Sequence, residues 1–272
     1  MKLLKLKKVY RIFFPRRFTN SELFENKLKK NSEIVSFERK GALYELVLKN
    51  GIRLIVRNEN YSDYLVLQQI FGFEEYKIVL GLINLNQLSS QPKIIIDAGA
   101  NVGYTTVFFS HNLESSKIYS IEPSTENAKI FLKNVSFLEN NQNIHLYQKA
   151  LSHQAGMTYT IDRDFRDGKD WAIATKPDTF GEVLGISLDE IIKDQNLQYI
   201  TLLKIDIEGS ERFIFDSQNN LSFLNITQVL AIEIHDEYKM RDSIYELLKN
   251  NNFILFESRE LTIGINKKFF CD

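Results

Sequence analysis

The chain has 272 residues, of which 44% are hydrophobic and 25% are charged, and its formal net charge is -1. These values are ordinary for a soluble globular protein, and the balanced charge gives no reason to expect nucleic acid as an electrostatic partner. The single cysteine, Cys271, provides neither a disulfide framework nor a cysteine-based metal site within the chain. It suits a reducing compartment, so we expect a cytoplasmic protein.

Residues 1–20 mix basic and large apolar side chains, with no acidic residue before Glu22. A signal peptide would place its charges before an unbroken apolar core, and no apolar run approaches the length of a membrane span. Two interpretations stay open: a packed N-terminal arm, or a basic amphipathic segment in peripheral contact with an anionic membrane surface. Pro15 interrupts a long helix and favours the arm.

Residues 33–57 have the composition of β-strands and contain Asn50-Gly51, the strongest short turn signal for a hairpin. Residues 62–85 carry apolar side chains at helical spacing. We expect residues 1–90 to form a basic N-terminal segment followed by a small β-hairpin and helical cap on the main domain.

The main domain, residues 91–272, alternates strand and helix patterns, which predicts an α/β, Rossmann-like and mostly parallel sheet with right-handed crossovers. Strands are expected at 93–97, 117–122, 144–149, 200–206, 228–235, 253–257 and 261–266. Helices are expected at about 102–112, 124–139, 187–194, 210–217 and 240–251. Only three residues separate the last two strands, so they form an antiparallel hairpin. The polar stretch 163–185 predicts a lid or binding loop, where Trp171 either stacks on a sugar or anchors its own loop.

The first strand of this domain leads into a glycine turn. Three consecutive isoleucines at 94–96 predict a strand buried on both faces, which Asp97 ends. Gly99 and Gly103 bracket a turn before a helix, an arrangement that brings backbone N–H groups close to a ligand, while the acid can accept hydrogen bonds from it. Asn101 stands where the dinucleotide fingerprint has its middle glycine, which argues against NAD and for a nucleoside without a phosphate bridge.

Glu122 ends the second strand of the domain, about 20 residues after Gly103. The doubly wound fold places its ribose-binding carboxylate at this distance. Glu122 also precedes Pro123 and a helix, where an acid is favoured by the helix dipole alone. Together with the Asp97 turn upstream, ribose binding is the favoured interpretation.

Five segments carry a family resemblance: residues 97–103 (DAGANVG), 121–123 (IEP), 150–152 (ALS), 203–211 (LKIDIEGSE) and 232–235 (IEIH). Together they resemble the FkbM family of class I S-adenosylmethionine-dependent methyltransferases. The resemblance implies a seven-stranded sheet with S-adenosylmethionine over the carboxyl ends of its strands. It also implies O-methylation of a hydroxyl on a sugar, a glycan or a secondary metabolite, so the expected partner is a small-molecule or glycan acceptor.

The resemblance also implies the cofactor site. Asn101 and the turn backbone would hold the methionine end, Glu122 would accept from the ribose hydroxyls, and Ala150 would lie near the adenine. The full implied set is Asp97, Gly99, Ala100, Asn101, Gly103, Glu122, Pro123, Ala150 and Asp206.

Lys204, Asp206 and Glu208 lie two residues apart, so a strand would point them to one face. Such charges are costly in an apolar central strand unless they pair or serve a ligand. We interpret Lys204 as a buried partner of Asp206, and Asp206 as a functional residue where the strand meets the cleft. Glu208 is either an exposed acid at a helix start or a member of the catalytic group.

Glu233 and His235 share a face of the next strand by the same spacing, and adjacent strands would let them converge with Asp206 and Glu208. In one interpretation His235 or Asp206 is the general base that takes the proton of the acceptor hydroxyl. In the other, Asp206, Glu233 and His235 hold a divalent metal that lowers the pKa of the hydroxyl. The base is favoured over the metal, because no dense ligand motif is present.

Two other functions compete with methyl transfer at this stage. A nucleotide-dependent oxidoreductase or sugar-modifying enzyme on a Rossmann sheet would bind NAD(P), which the missing middle glycine disfavours. A non-catalytic protein that kept the fold would bind the cofactor without turnover.

Overall fold

The structure, a computed structural model, describes residues 17–85, 92–162, 174–235 and 239–270. Its strands are β1 (Ile34–Lys40), β2 (Leu43–Leu48), β3 (Arg53–Arg57), β4 (Lys93–Ala98), β5 (Ser116–Ile121), β6 (Ile144–Tyr147), β7 (Ala150–Ser152), β8 (Thr158–Asp162), β9 (Ala174–Pro177), β10 (Val183–Ser187), β11 (Ile200–Ile205), β12 (Thr227–Glu233), β13 (Phe253–Ser258) and β14 (Leu261–Asn266). Its helices are α1 (Asn20–Lys30), α2 (Asp63–Leu67), α3 (Lys77–Leu85), α4 (Tyr104–Asn112), α5 (Thr125–Val135), α6 (Leu188–Asp194), α7 (Glu211–Ile214), α8 (Arg241–Asn250) and α9 (Lys267–Phe270). A π-helical turn, Gln68–Gly72, continues α2.

The central sheet has seven strands in the order β13-β14-β12-β11-β4-β5-β6. The five strands from β12 to β6 in this order pair in parallel, and β14 joins β12 and β13 antiparallel. The predicted α/β sheet and its C-terminal hairpin are therefore confirmed. Ala98 pairs with Ile205 on one side and Ile121 on the other, so the carboxyl ends of β11, β4 and β5 are level. The residues that follow these strands share one edge.

Both faces of the central sheet are covered by apolar clusters. Ile95 packs with α4, α5 and the N-terminal strands, whereas Ile96 packs with α6 and α8 on the other face. Both isoleucines are fully buried, as expected for consecutive residues that point to opposite faces of a covered parallel strand.

The N-terminal part forms a three-stranded antiparallel sheet, β1-β2-β3, so the predicted strands around Asn50-Gly51 are confirmed. Asn134 of α5 attaches this sheet to the main domain. Its Oδ1 accepts from the backbone N–H of Ile55 at 2.6 Å, and its Nδ2 donates to the carbonyl of Val102 at 2.7 Å. Tyr104 also donates to the carbonyl of Ile55, at 2.8 Å.

The stretch 163–185, predicted to be a loop, contains β9 and the first three residues of β10, so that prediction is wrong for residues 174–177 and 183–185, whereas residues 178–182 do form a loop. These strands belong to a second sheet, β7-β10-β8-β9. They are four and five residues long, and pairing with β7 and β8 defines them rather than a long apolar run.

Two predictions fall outside the described residues. They concern Trp171 and residues 1–16 of the basic N-terminal segment. Among the helices that the structure describes, none is long and apolar enough to cross a membrane.

Candidate active site

Asp97, at the end of β4, is fully buried and bound within the protein. Its Oδ2 accepts from the hydroxyl of Thr106 at 2.7 Å, and its Oδ1 lies 3.3 Å from Nζ of Lys204. Through these two contacts Asp97 supports the turn that follows β4. Direct contact of this carboxylate with the ligand stays a prediction.

Lys204 fixes the turn in place. Its buried Nζ donates to the carbonyl oxygens of Gly99 at 2.7 Å and Ala98 at 3.3 Å, and it lies 3.7 Å from the carboxylate of Asp206. Burial alone would lower the pKa of Lys204, but the charges of Asp97 and Asp206 outweigh it and raise this pKa. The lysine therefore stays charged, and it pairs more closely with Asp97 than with the predicted Asp206.

The turn itself depends on backbone geometry. Gly99 has φ +77°, and a Cβ at this position would come within 1.7 Å of the carbonyl oxygen of Asp206. Gly103 has φ +88°, and a Cβ there would lie 2.7 Å from the ring of Phe131. Asn101 has φ 50°, a region that asparagine adopts more readily than most residues, so it replaces a glycine at small cost.

Glu122 joins the glycine turn to α5. Its Oε2 accepts from the backbone N–H of Asn101, and its Oε1 accepts from that of Ser124, both at 2.8 Å. The side-chain amide of Asn127 donates to Oε1 at 3.4 Å. Burial raises the pKa of Glu122 to about 7, although these hydrogen bonds oppose the shift. Each carboxylate oxygen retains capacity for a ligand hydroxyl.

Two adjoining cavities open at this edge of the sheet. The larger, about 470 Å³, is lined by the turn and by residues from the N-terminal part, and the smaller, about 60 Å³, lies between β5, β7 and the turn. Four residues line both cavities, and all were predicted site residues: Gly99, Asn101, Asp206 and Glu208. The smaller cavity is also lined by Glu122, Pro123 and Ala150, and the larger by Ala100 and Glu233.

Two buried amide oxygens on these walls make no hydrogen bond with any described residue: Oδ1 of Asn101 and Oδ1 of Asn127. Buried polar atoms are rarely left unsatisfied in native proteins. Acceptors of this kind fit the ammonium and ribose hydroxyl groups of a nucleoside ligand such as S-adenosylmethionine.

Acidic groups surround His235, which lies behind two residues of the larger cavity's wall, Glu208 and Glu233. The ring is 1% exposed, and its Nδ1 lies 3.0 Å from Oε1 of Glu211. Its Nε2 lies 3.3 Å from Oε2 of Glu208 and 3.5 Å from Oε1 of Glu233. The predicted convergence of these side chains with Asp206 is therefore present in the structure.

Glu208 belongs to this cluster although it lies beyond the end of strand β11. The strand β11 ends at Ile205, and Glu208 lies in a turn with φ 53°. The turn, and not an alternating strand, brings its carboxylate to His235. The prediction that strand spacing places Glu208 on the same face as Lys204 and Asp206 is therefore wrong.

The cluster shifts the protonation of its members. Burial would lower the pKa of His235, but the carboxylates of Glu208 and Glu211 outweigh it and raise this pKa to about 11. Burial, together with the charge of Asp206, raises the pKa of Glu233 to about 9. A buried, protonated imidazole that is bound through Nδ1 does not serve as a general base, so the geometry does not support the base role predicted for His235.

Several residues of the site were not singled out from the sequence. Glu75, Tyr76 and Glu260 line the larger cavity, Asn127 lines the smaller one, and Glu211 holds His235. Burial and the charges of Asp206 and Glu260 raise the pKa of Glu75 to about 7. Glu211 lies inside the segment 203–211 quoted above, which is the one signal that pointed to it.

A level row of parallel strand ends, followed by a glycine turn and a buried acid, is the arrangement by which doubly wound α/β proteins bind nucleoside-containing ligands. The family model described as "Methyltransferase FkbM domain" matches residues 97–255, and the chain belongs to this family. The protein is a methyltransferase, and the family implies S-adenosylmethionine as its cofactor and a small molecule as its acceptor.

Curated relatives are similar over most of their length. Methyltransferase sdnD of Sordaria araneosa is 23% identical over 210 residues, which cover 65% of this chain and 79% of the relative. The 31-O-demethyl-FK506 methyltransferase FkbM of Streptomyces tacrolimicus is 23% identical over 197 residues, which cover 61% and 75%. A solved structure, precorrin-6y C5,15-methyltransferase from Geobacter metallireducens, has a TM-score of 0.41 and 13% identity, covering 71% of this chain and 86% of that one.

Proposed function

We propose that the protein transfers a methyl group to a hydroxyl oxygen of a sugar, a glycan or a similarly hydroxylated metabolite. The observation that carries this proposal is the shared wall of the two cavities, where Asp206 lines both the smaller cavity beside Glu122 and a larger chamber rich in carboxylates. A methyl donor and an acceptor would meet across this wall.

The cofactor would extend from the smaller cavity to the shared wall. Bound S-adenosylmethionine supplies an electrophilic methyl group. Glu122 would accept from the ribose hydroxyls, with Pro123 and Ala150 beside the adenine. Asn101 would accept from the methionine ammonium through its buried Oδ1, and Lys204 would keep the turn in the shape that allows this.

The acceptor would occupy the larger cavity, whose outer wall comes from the N-terminal part of the chain. Gln69, Glu75 and Tyr76 line this side, so we propose that residues 1–90 form a cap that completes the acceptor site of the 91–272 domain. Carboxylates accept hydrogen bonds from hydroxyl groups, so this lining favours an acceptor with several hydroxyls. The relative named for 31-O-demethyl-FK506 supports an oxygen as the methylated atom.

We assign Glu233, in its ionised form, to accept the hydroxyl proton. Because its pKa is raised to about 9, the fraction of this form increases as the pH rises toward that value. Glu233 lines the larger cavity with its side chain 24% exposed, whereas His235 is enclosed. Proximity and orientation supply most of the rate enhancement when two reactants are held in line, and proton removal adds to it.

The test is transfer of a tritiated methyl group from S-adenosylmethionine to a panel of sugars, amino sugars and hydroxylated aglycones. Glu233→Gln should lower kcat by at least about 100-fold with little change in cofactor affinity, because it removes the proton acceptor. Glu126→Gln, an exposed carboxylate at the start of α5, is the matched control and should keep wild-type turnover.

Transfer to a nitrogen or carbon atom, shown by mass spectrometry of the product, would contradict the proposal. So would binding of S-adenosylhomocysteine without turnover on any hydroxylated acceptor, which would favour a non-catalytic binding protein.

A further inference from the structure

Three side chains beside the acceptor cavity have the arrangement of cation ligands. One ligand atom each from Asp206, Glu208 and His235 lies within 4.8 Å of the other two. Ligands held at about 2.0–2.6 Å from a Mg²⁺ or Ca²⁺ ion are separated by roughly 3–5 Å from one another, so a single ion can contact all three atoms. The separation of 3.3 Å between Nε2 of His235 and Oε2 of Glu208 fits adjacent ligands.

His235 is oriented independently of the carboxylates in front of it. Its Nδ1 lies 3.0 Å from Oε1 of Glu211, which is itself fully buried and accepts from the backbone N–H of Ile207 at 2.9 Å. An imidazole whose second nitrogen donates to a carboxylate is the usual form of a histidine that ligates a metal, because the partner fixes both tautomer and ring orientation. With a metal bound, Glu211 would therefore orient Nε2 so that its lone pair points to the cluster.

The Nε2 atom of His235 lacks a hydrogen-bond partner among the described residues. It is buried, and it faces Glu208 and Glu233. An imidazole nitrogen that faces carboxylate oxygens needs either a proton or a cation between them, so a bound cation would take the place of a proton at this position.

We propose that Asp206, Glu208 and His235 bind one divalent cation at the wall of the acceptor cavity, with Glu211 as the residue that positions His235. Two carboxylates and one imidazole suit Mg²⁺ or Mn²⁺ better than thiophilic metals. The remaining coordination positions face the larger cavity, which Asp206 and Glu208 line.

The role of this cation rests on the proposed function. A cation at Asp206 would hold the acceptor hydroxyl and lower its pKa, so that Glu233 removes the proton more readily while the oxygen forms its bond to the methyl carbon and the carbon–sulfur bond breaks. The sequence alone proposed Glu233 as the third ligand. The turn at Glu208 replaces it in this set and leaves Glu233 for the proton.

Binding is tested on the full chain without cofactor or acceptor, by electron paramagnetic resonance of free Mn²⁺ during titration. The wild type should remove one equivalent of Mn²⁺ from the free pool. Asp206→Asn and Glu208→Gln should each raise the Kd by at least about tenfold, and Glu211→Gln by about 10–100-fold through loss of His235 orientation. Circular dichroism establishes that each variant is folded.

Glu260→Gln is the matched control, because Glu260 lines the same cavity outside the cluster. It should change the Kd for Mn²⁺ by less than about threefold at physiological salt, since the substitution removes a screened charge but no ligand atom. Equal losses in Glu260→Gln and Asp206→Asn would overturn the site in favour of diffuse attraction. A folded wild type that leaves the Mn²⁺ signal unchanged up to millimolar protein would also overturn it.

The experiment can show that the cation site is wrong without showing that the proposed methyl transfer is wrong. S-adenosylhomocysteine binding and methyl transfer are measured in parallel with EDTA. Transfer that EDTA leaves unchanged would overturn the role of the cation while the methyltransferase assignment stands.

Discussion

The backbone N–H of Asn101 donates to Oε2 of Glu122 at 2.8 Å, so the glycine turn after β4 is bonded directly to the acid after β5. Parallel pairing makes the two strand ends level, and this hydrogen bond then fixes the turn against its neighbour. The two elements of the proposed cofactor site therefore form one rigid unit, and a change in the charge of Glu122 should affect the whole of it.

Cofactor affinity should depend on pH through Glu122. Its pKa is raised to about 7 by burial, and ribose hydroxyls donate to the ionised carboxylate, so binding lowers this pKa and releases a proton. Affinity for S-adenosylhomocysteine should then rise about tenfold between pH 6 and pH 8. Calorimetry in buffers of different ionisation enthalpy measures the released proton, and Glu122→Gln should remove both the proton release and the pH dependence. If the affinity for S-adenosylhomocysteine instead falls as the pH rises, binding raises the pKa of Glu122 and the prediction is wrong.

Gly99→Ala should destabilise the protein. The new Cβ would meet the backbone oxygen of Asp206 at 1.7 Å with φ at +77°, and neither atom belongs to a flexible side chain. We expect a loss of about 3 kcal/mol or more in the free energy of unfolding, measured in urea. Gly81→Ala, where α3 leaves open space, should instead stabilise by about 0.5–1 kcal/mol. Similar effects at the two glycines would refute the close approach.

Lys204→Met should destabilise the protein, because it leaves the buried carboxylate of Asp97 without its cationic partner. Removing one partner of a buried ion pair costs about 3–5 kcal/mol, because the remaining charge is uncompensated. Adding Asp97→Asn should restore at least about 1 kcal/mol, since the neutral amide can still accept from Thr106. Additive losses in the double variant would mean that Lys204 and Asp97 do not interact.

Most of the central sheet could be predicted because its strands are continuous apolar runs. Ile95 and Ile96 are buried on opposite faces, and such runs, alternating with helices, leave few topologies open. The shared wall of the cavities was also predictable, since Gly99 and Asp206 follow directly from strands that end at one edge. Motif and strand-end position carry this information without any side-chain detail.

The orientation of individual side chains in the site could not be predicted, because it depends on tertiary contacts that no local sequence pattern encodes. Asp97 and Asp206 both end strands, yet the buried amine of Lys204 and the hydroxyl of Thr106 turn Asp97 inward and leave Asp206 at the cavity. Glu75 enters the site from a segment more than one hundred residues away from Asp206 in the chain. Only packing of the N-terminal part decides that placement.

Asn134→Ala should loosen the N-terminal sheet from the main domain. It removes the buried partners of the Ile55 N–H and the Val102 carbonyl, at a cost of about 2–4 kcal/mol in the free energy of unfolding. The exposed neighbour Lys133→Ala should change it by less than about 0.5 kcal/mol. Thermal unfolding followed by circular dichroism measures both. Equal stability of the two variants would show that Asn134 does not hold the parts together.

The most direct test of the account is calorimetric titration with S-adenosylhomocysteine in EDTA, comparing the wild type with Asn101→Gly, Glu122→Gln and the control Glu126→Gln. Asn101→Gly keeps the positive φ of the turn and removes only the buried Oδ1. We predict one site per chain in the wild type and control, and affinity at least about tenfold weaker in the other two, as for a lost hydrogen bond to a charged group. No binding to folded wild type, or equal affinity in all four proteins, would contradict the proposed cofactor site.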